Sequence, residues 1–224
     1  MLRTVLNVSP RLLFSQGRRA LASLEKGVGS DGTLSSFEAD KSALDDMLRA
    51  YSEDPSLTEQ VDNFSKVVAE APGVKITGIG KSGYVGRRMA ATLASVGIPA
   101  HFVHGTEWVH GDLGALKPSE IVVAISHSGK TNELLHLAPF VKEKGAIFCA
   151  MVGFTDTPLG NLAEPFTVIA GPVNSEILGS VPSRSIVVQE ALINAIATNV
   201  INLNNFKPNG FKKNHPGGAI GASP

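Results

Sequence analysis

The sequence predicts an α/β fold: a three-layer, doubly wound sheet of five parallel strands flanked by helices. Three observations predict it. The chain has 224 residues, enough for one α/β domain with a full core and too few for two large ones. Apolar residues make up 43% and charged residues 18%, an ordinary globular composition. From Pro72-Gly73 onward, short apolar runs alternate with helix-length segments, the pattern of a parallel sheet with helices on both faces.

The elements follow in order. Residues 1–24 carry Arg3, Arg11, Arg18 and Arg19 and no acid, interleaved with Leu2, Val5, Leu6, Leu12, Leu13, Phe14 and Leu21. That basic, amphipathic, acid-poor composition is the one expected of an organelle transit peptide, with a mitochondrion among the destinations. A Gly/Ser-rich stretch, 27–36, is expected to link it to the folded body, so residues 1–35 are set apart from a domain over 36–224. Apolar residues at helical spacing predict two helices within 36–71, parted at Asp54-Pro55 because proline pushes its predecessor out of helix. The α/β core, 72–224, is expected to place strands at 74–80, 100–104, 121–126, 146–152 and 166–171. A long last helix spans 183–203.

The bulk properties exclude several function classes. A formal net charge of zero gives no footing for a nucleic-acid partner. No apolar stretch is expected to reach the length of a membrane span. The single cysteine, Cys149, lies in an apolar run and is expected to fill space in a core strand, which points to a reducing, intracellular compartment.

In open α/β sheets ligands bind beyond the carboxyl ends of the strands. Three loops there carry unusual residues. The first, GIGKSG (78–83), fits the dinucleotide pattern G-x-G-x-x-G, but the second strand ends at His104 where an acid would hold a ribose. What is left is a glycine turn opening a helix, with Gly80, Lys81 and Ser82 suited to an anion. The second, SHSGKT (126–131), completes with Ala124 a relaxed phosphate-loop pattern. A true phosphate loop opens on glycine and needs a magnesium-binding Asp, for which Asp156 is the nearest candidate. The favoured reading is a cradle for a sugar phosphate built by Ser126, Ser128, Gly129, Lys130 and Thr131. The third, HGTEWVHGDLG (104–114), crowds Glu107, His110 and Asp112 beside these turns and suggests acid–base work. Its spacing matches no standard zinc motif, and neither metal nor organic cofactor is expected.

Taken together, GIGKSG, EWVHGDLG, the S-x-S-G loop and NHPGGAIG (214–221) resemble the sugar isomerase (SIS) superfamily, and within it the arabinose-5-phosphate isomerases. The resemblance covers roughly residues 40 to 221. It implies interconversion of D-arabinose 5-phosphate and D-ribulose 5-phosphate through an enediol, without a required metal. It implies Lys81 and His110 at the sugar, Ser126 and Ser128 at the phosphate, and His215 near the site, often across a subunit interface. It also implies a homotetramer or homodimer. The chemistry agrees: Lys81 can stabilise an enediolate, and His110 and His215 can move protons near neutral pH.

Two positions depart from the family. Its glutamate after S-x-S-G is Lys130 here, and a second family glutamate aligns with Asn174. Glu176 is the candidate for the missing carboxylate. The Ser/Thr cluster at the last helix is represented by Ser183 and Ser185 around Arg184, expected to bind phosphate. The paired nucleotide-sensing domains of many relatives are expected to be absent. The departures motivate a second reading, a non-catalytic sugar-phosphate sensor.

Overall fold

The computed structural model describes residues 30–173 and 176–217. The chain divides into two compact units, Met1–Lys41 and Ser42–Pro224. Of the first, the described residues form the opening turns of helix α1 (Ser30–Glu53). That helix starts inside the stretch expected to be a linker. The basic segment 1–24 and residues 27–29 lie outside the described residues.

The break at Asp54 is as expected. Its carboxylate accepts from Ser56 N at 3.0 Å and caps α2 (Pro55–Glu70), with Pro55 in the first turn. Strand β1 (Val74–Gly78) then leads to α3 (Gly80–Ser95), β2 (Ala100–Phe102), two 3₁₀ turns (Trp108–His110 and Asp112–Ala115), and β3 (Ile121–Ser126). Helix α4 (Asn132–Glu143), β4 (Ile147–Val152), α5 (Pro158–Ala163), β5 (Thr167–Ile169), α6 (Arg184–Leu203) and α7 (Pro208–Asn214) complete the order. All five strands are parallel, in the order β2-β1-β3-β4-β5.

Both faces of the sheet are covered. Val74, Ile76, Ile121, Val123, Ile125, Cys149, Met151 and Val168 join residues of α2, α3 and α6 in one core cluster. The alternate residues Val122, Ala124, Phe148, Ala150, Val152 and Ile169 join α4 and α5 in the other. Cys149 is fully buried, and burial pushes its thiol up to about 12, the chemistry of a space-filling residue.

Helix α6 corrects one expectation: by length and composition it could cross a membrane. Here it is a core helix. Val188, Leu192, Ile193, Ile196 and Val200 recur at three- and four-residue spacing and are buried in the first cluster.

Candidate active site

The strand order reverses direction between β1 and β3, which run from the middle of the sheet toward opposite edges. Such a switch point leaves a crevice at the strand ends. Gly78 pairs with Ile125 there, so the loops beginning at Ile79 and Ser126 leave the sheet as neighbours, about 4.8 Å apart. Each runs into a helix that no side chain caps, α3 after Ile79 and α4 after Thr131. The first N–H groups of each helix have no preceding turn to supply an acceptor and can therefore meet an anion in the crevice.

The loop after β3 is preorganised. Ser126 is 3% exposed, shares a 2.8 Å hydrogen bond with the Thr131 hydroxyl, and its Oγ accepts from Gly129 N at 3.2 Å. Lys130 N donates to Ser128 Oγ at 3.2 Å, leaving the Lys130 and Ser128 side chains exposed. Gly129 holds φ +62, and a Cβ there would run into Thr157, the residue that caps α5. The backbone of this loop is therefore seated on the start of α5, where Leu159 N also donates to Gly129 O at 3.0 Å.

The loop carrying His110 is tied over the same end of the sheet. Buried Trp108 donates from Nε1 to Thr77 Oγ1 of β1 at 3.1 Å. Gly105 lies against Ile79, which precedes α3, and Leu134 in the first turn of α4. His110 ends the first 3₁₀ turn and is exposed. Lys81 lines a groove of about 330 Å³ with Tyr84, Val85, Pro182, Ser183, Ile186 and Glu190. The fold thus brings Gly80, Lys81, Ser82, Ser126, Ser128, Gly129, Lys130 and Thr131 to one end of the sheet, with the His110 loop tied across it.

Glu176 and the serines near it have a different role from the one expected. The Glu176 carboxylate accepts from Ser183 N at 2.6 Å, Ser183 Oγ at 2.7 Å, Arg184 N at 2.9 Å and Ser185 N at 3.2 Å. Partial burial works to raise its pKa, but hydrogen bonds from Ser185 and Ser183 outweigh it and lower the pKa to about 2. So firm an anion is a helix cap and a poor base. The donors of Ser183 and Ser185 that were expected to meet phosphate are taken by this carboxylate. The other candidate carboxylate position, Asn174, lies outside the described residues.

His215 is not brought to the crevice by its own chain. It follows α7, its Nδ1 lies 2.9 Å from Phe211 O, and its ring stacks on Phe211 at 4.0 Å. Asn214 beside it donates to Ser95 O at 3.0 Å, at the far end of α3 from Lys81, roughly 20 Å along a helix of that length.

One residue escaped the reading of the sequence. His127, between the two loop serines, bridges to β4: Gly153 N donates to its carbonyl at 2.8 Å. Its ring fills the space a side chain at position 153 would need and meets Phe154 edge-on at 5.1 Å. Its Nδ1 is buried without a hydrogen-bond partner. Burial lowers its pKa from 6.5, and the Glu176 carboxylate opposes that in part. The available signal was a titratable residue between the two serines of the loop after β3. Asp156, the magnesium candidate, is exposed and accepts from Asn161 Nδ2 at 3.0 Å. Among the described residues, no three His, Cys, Asp or Glu side chains gather as a metal site would require.

Residues 68–199, more than half of the chain, match the SIS domain family. The chain is 38% identical over 148 residues to the arabinose 5-phosphate isomerase KdsD of Yersinia pestis, covering 66% of this chain and 45% of that protein. It spans about half the length of the curated relatives it matches. Among solved structures it is similar to the E. coli CFT073 protein c3406 in complex with arabinose 5-phosphate, with a TM-score of 0.74 and 30% identity over 84% of this chain and 100% of that one. The sugar isomerase domain of the RpiR transcription factor from Sphaerobacter thermophilus shares the fold, with a TM-score of 0.68, 18% identity, and 83% of this chain and 96% of that one covered.

Proposed function

This chain belongs to the SIS domain family, and on that premise we propose that it is a sugar-phosphate aldose–ketose isomerase, interconverting D-arabinose 5-phosphate and D-ribulose 5-phosphate through an enediol. One observation carries the reading. Two uncapped helix N-termini meet at the switch point, one bearing Lys81 and the other the Ser126–Thr131 loop. The second holds the phosphate through hydroxyls and backbone N–H groups, helped by Lys130. Lys81 places its charge where the enediolate oxygen develops. His110 moves protons on the sugar oxygens. His215 serves the same site only from a second copy of the chain, which fits a homodimer or homotetramer.

The relatives support this reading, KdsD of Yersinia pestis by its named activity and c3406 by its bound sugar phosphate. We place the protein inside the cell, where such bacterial relatives find sugar phosphates; the comparisons lend no support to an organelle destination. The test is ketose formation from arabinose 5-phosphate, followed colorimetrically against glucose 6-phosphate and other aldose phosphates. Ketose appearing from the pentose phosphate is the expected result.

A sensor without turnover is the second reading, favoured by Lys130 in place of a family glutamate and by the occurrence of this fold in a transcription factor. Thermal stabilisation by arabinose 5-phosphate without any ketose would select it.

A further inference from the structure

The isomerase reading leaves one step without an agent: removal of the proton on carbon. Lys130 is a cation, and Glu176 is engaged by four hydrogen bonds as the cap of α6. His110 is assigned to the sugar oxygens, and His215 reaches the site only from a second copy. His104, an imidazole where a dinucleotide site would carry an acid, stands at the third strand end. Val103 N donates to Ile76 O at 2.9 Å, so the chain still runs beside β1 as it reaches His104. The order β2-β1-β3 then sets three groups side by side: His104 after β2, Lys81 after β1, and the Ser126–Thr131 loop after β3. The outer two are about 10 Å apart, two strand spacings. An open-chain pentose phosphate bridges that separation with its phosphate at one end and C1–C2 at the other.

The His104 ring is held at one edge and open at the other. Its Nδ1 lies 2.9 Å from Thr106 Oγ1, and that hydroxyl donates to Glu107 Oε1 at 3.3 Å. An ionised carboxylate has no proton to give, so the hydroxyl proton goes to Glu107 and Nδ1–H donates to the hydroxyl oxygen. Thr106 N approaches Nδ1 at 3.4 Å, a longer contact that does not overrule this arrangement. The lone pair of the neutral ring is then on Nε2. Among the described residues Nε2 has no hydrogen-bond partner, and it is open to solvent. His104 lines a groove of about 280 Å³ with Gly80, Gly83, Tyr84, Arg87 and Phe102. Gly80 and Gly83 belong to the first turn of α3, and the groove adjoins the one lined by Lys81 at Tyr84, which both share. Arg87 stacks on Phe102 at 4.4 Å, which holds a cation in the same groove.

We propose that His104 is the base that carries the proton between C1 and C2 of the sugar, with Thr106 and Glu107 as positioning residues that fix its tautomer. This rests on the isomerase reading above. Nε2 takes the proton from C2 of the open-chain aldose phosphate. The C–H electron pair becomes the C1–C2 double bond, and O1 takes a proton through His110, giving the enediol. The imidazolium of His104 returns its proton to C1 as the O2 proton passes to His110, giving the ketose. No oxidant or reductant enters. The three strand ends divide the work in order along the sheet: phosphate after β3, developing oxygen charge at Lys81 after β1, and proton transfer at carbon after β2.

The experiment compares the full chain with His104→Ala, Thr106→Val, Glu107→Gln and the Thr106→Val/Glu107→Gln pair. The readouts are kcat and KM for arabinose 5-phosphate, recovery of kcat on adding imidazole, and thermal stability with and without arabinose 5-phosphate. His104→Ala is expected to lose at least about 100-fold in kcat with KM changed less than about threefold, and to regain about tenfold in imidazole. Thr106→Val and Glu107→Gln are each expected to lose about tenfold in kcat at unchanged KM, with no further loss in the pair, the mark of a single relay. Should His104→Ala fail to fold, the relay variants decide, and kcat within about twofold of the parent in both overturns the proposal. It is equally overturned if His104→Ala keeps kcat within about threefold, if KM alone rises, or if a variant that arabinose 5-phosphate still stabilises gains nothing from imidazole. An active His104→Ala beside an inactive His215→Ala gives the step to the second copy instead. If the unsubstituted chain forms no ketose, the isomerase reading falls and this one with it. An active parent with an active His104→Ala sinks the His104 proposal alone.

Discussion

At the scale of single residues, charge separates the roles. Lys81 stands at an uncapped helix N-terminus, so replacing it removes a cation from a place already arranged for negative charge. Lys81→Met is expected to lower kcat by about 100- to 1,000-fold, measured at saturating arabinose 5-phosphate. Glu176 is expected to behave in the opposite way. Because it caps α6, Glu176→Ala should cost about 1 kcal/mol in urea denaturation at pH 7, while kcat stays within about threefold. The pH dependence has a definite sign. Its folded pKa of about 2 lies below the ordinary 4.5, so its stabilisation is present above pH 4.5 and is lost as pH falls toward 2. The stability gap between the parent and Glu176→Ala should therefore close between pH 4.5 and 2. Lys81, Ser126 and Ser128 could be singled out from the sequence because glycine turns and hydroxyl-rich loops suit an anion. The contacts of Glu176 could not be foreseen, because a carboxylate eight residues before a helix reads equally as base or as cap until the chain folds back. His127 was hidden for a related reason: only the approach of Gly153 and Phe154 turns an ordinary loop histidine into a fixed one.

At the scale of elements, the site depends on how the loop after β3 rests on α5. Gly129 combines φ +62 with contact against Thr157, so any side chain there must displace the loop or the helix start. Gly129→Val is expected to destabilise the fold by about 1–3 kcal/mol in urea denaturation and to raise KM more than it lowers kcat, since phosphate binding suffers first. Strand β3 was legible to the residue, at 121–126, because its apolar run is bounded by polar residues. Strands β1, β2 and β5 are each two or three residues shorter than expected, and β4 one, since the apolar pattern does not mark where sheet pairing stops. Helices α5 and α7 went unread; both are short, and both open with proline, which marks a turn as readily as a first helical position. The sheet order, which locates the crevice, follows from pairings between distant segments that local patterns do not encode.

At the scale of the whole molecule, one chain brings the loop after β3, Lys81 and the His110 loop to one end of the sheet, but leaves His215 at the other end of α3. If His215 acts, a second copy supplies it. Lys81→Met and His215→Ala variants, each inactive alone, should then regain activity when unfolded and refolded together. A randomly mixed dimer would recover about a quarter of the parent's turnover, because half the dimers hold one intact site of two. No recovery would confine His215 to the structure of α7. The central claim, enediol isomerisation, is tested most directly by proton NMR of the protein with arabinose 5-phosphate in deuterated water. Ribulose 5-phosphate carrying deuterium at C1 is the predicted result. An aldose that binds yet keeps its C2 proton and never becomes ketose would contradict the account.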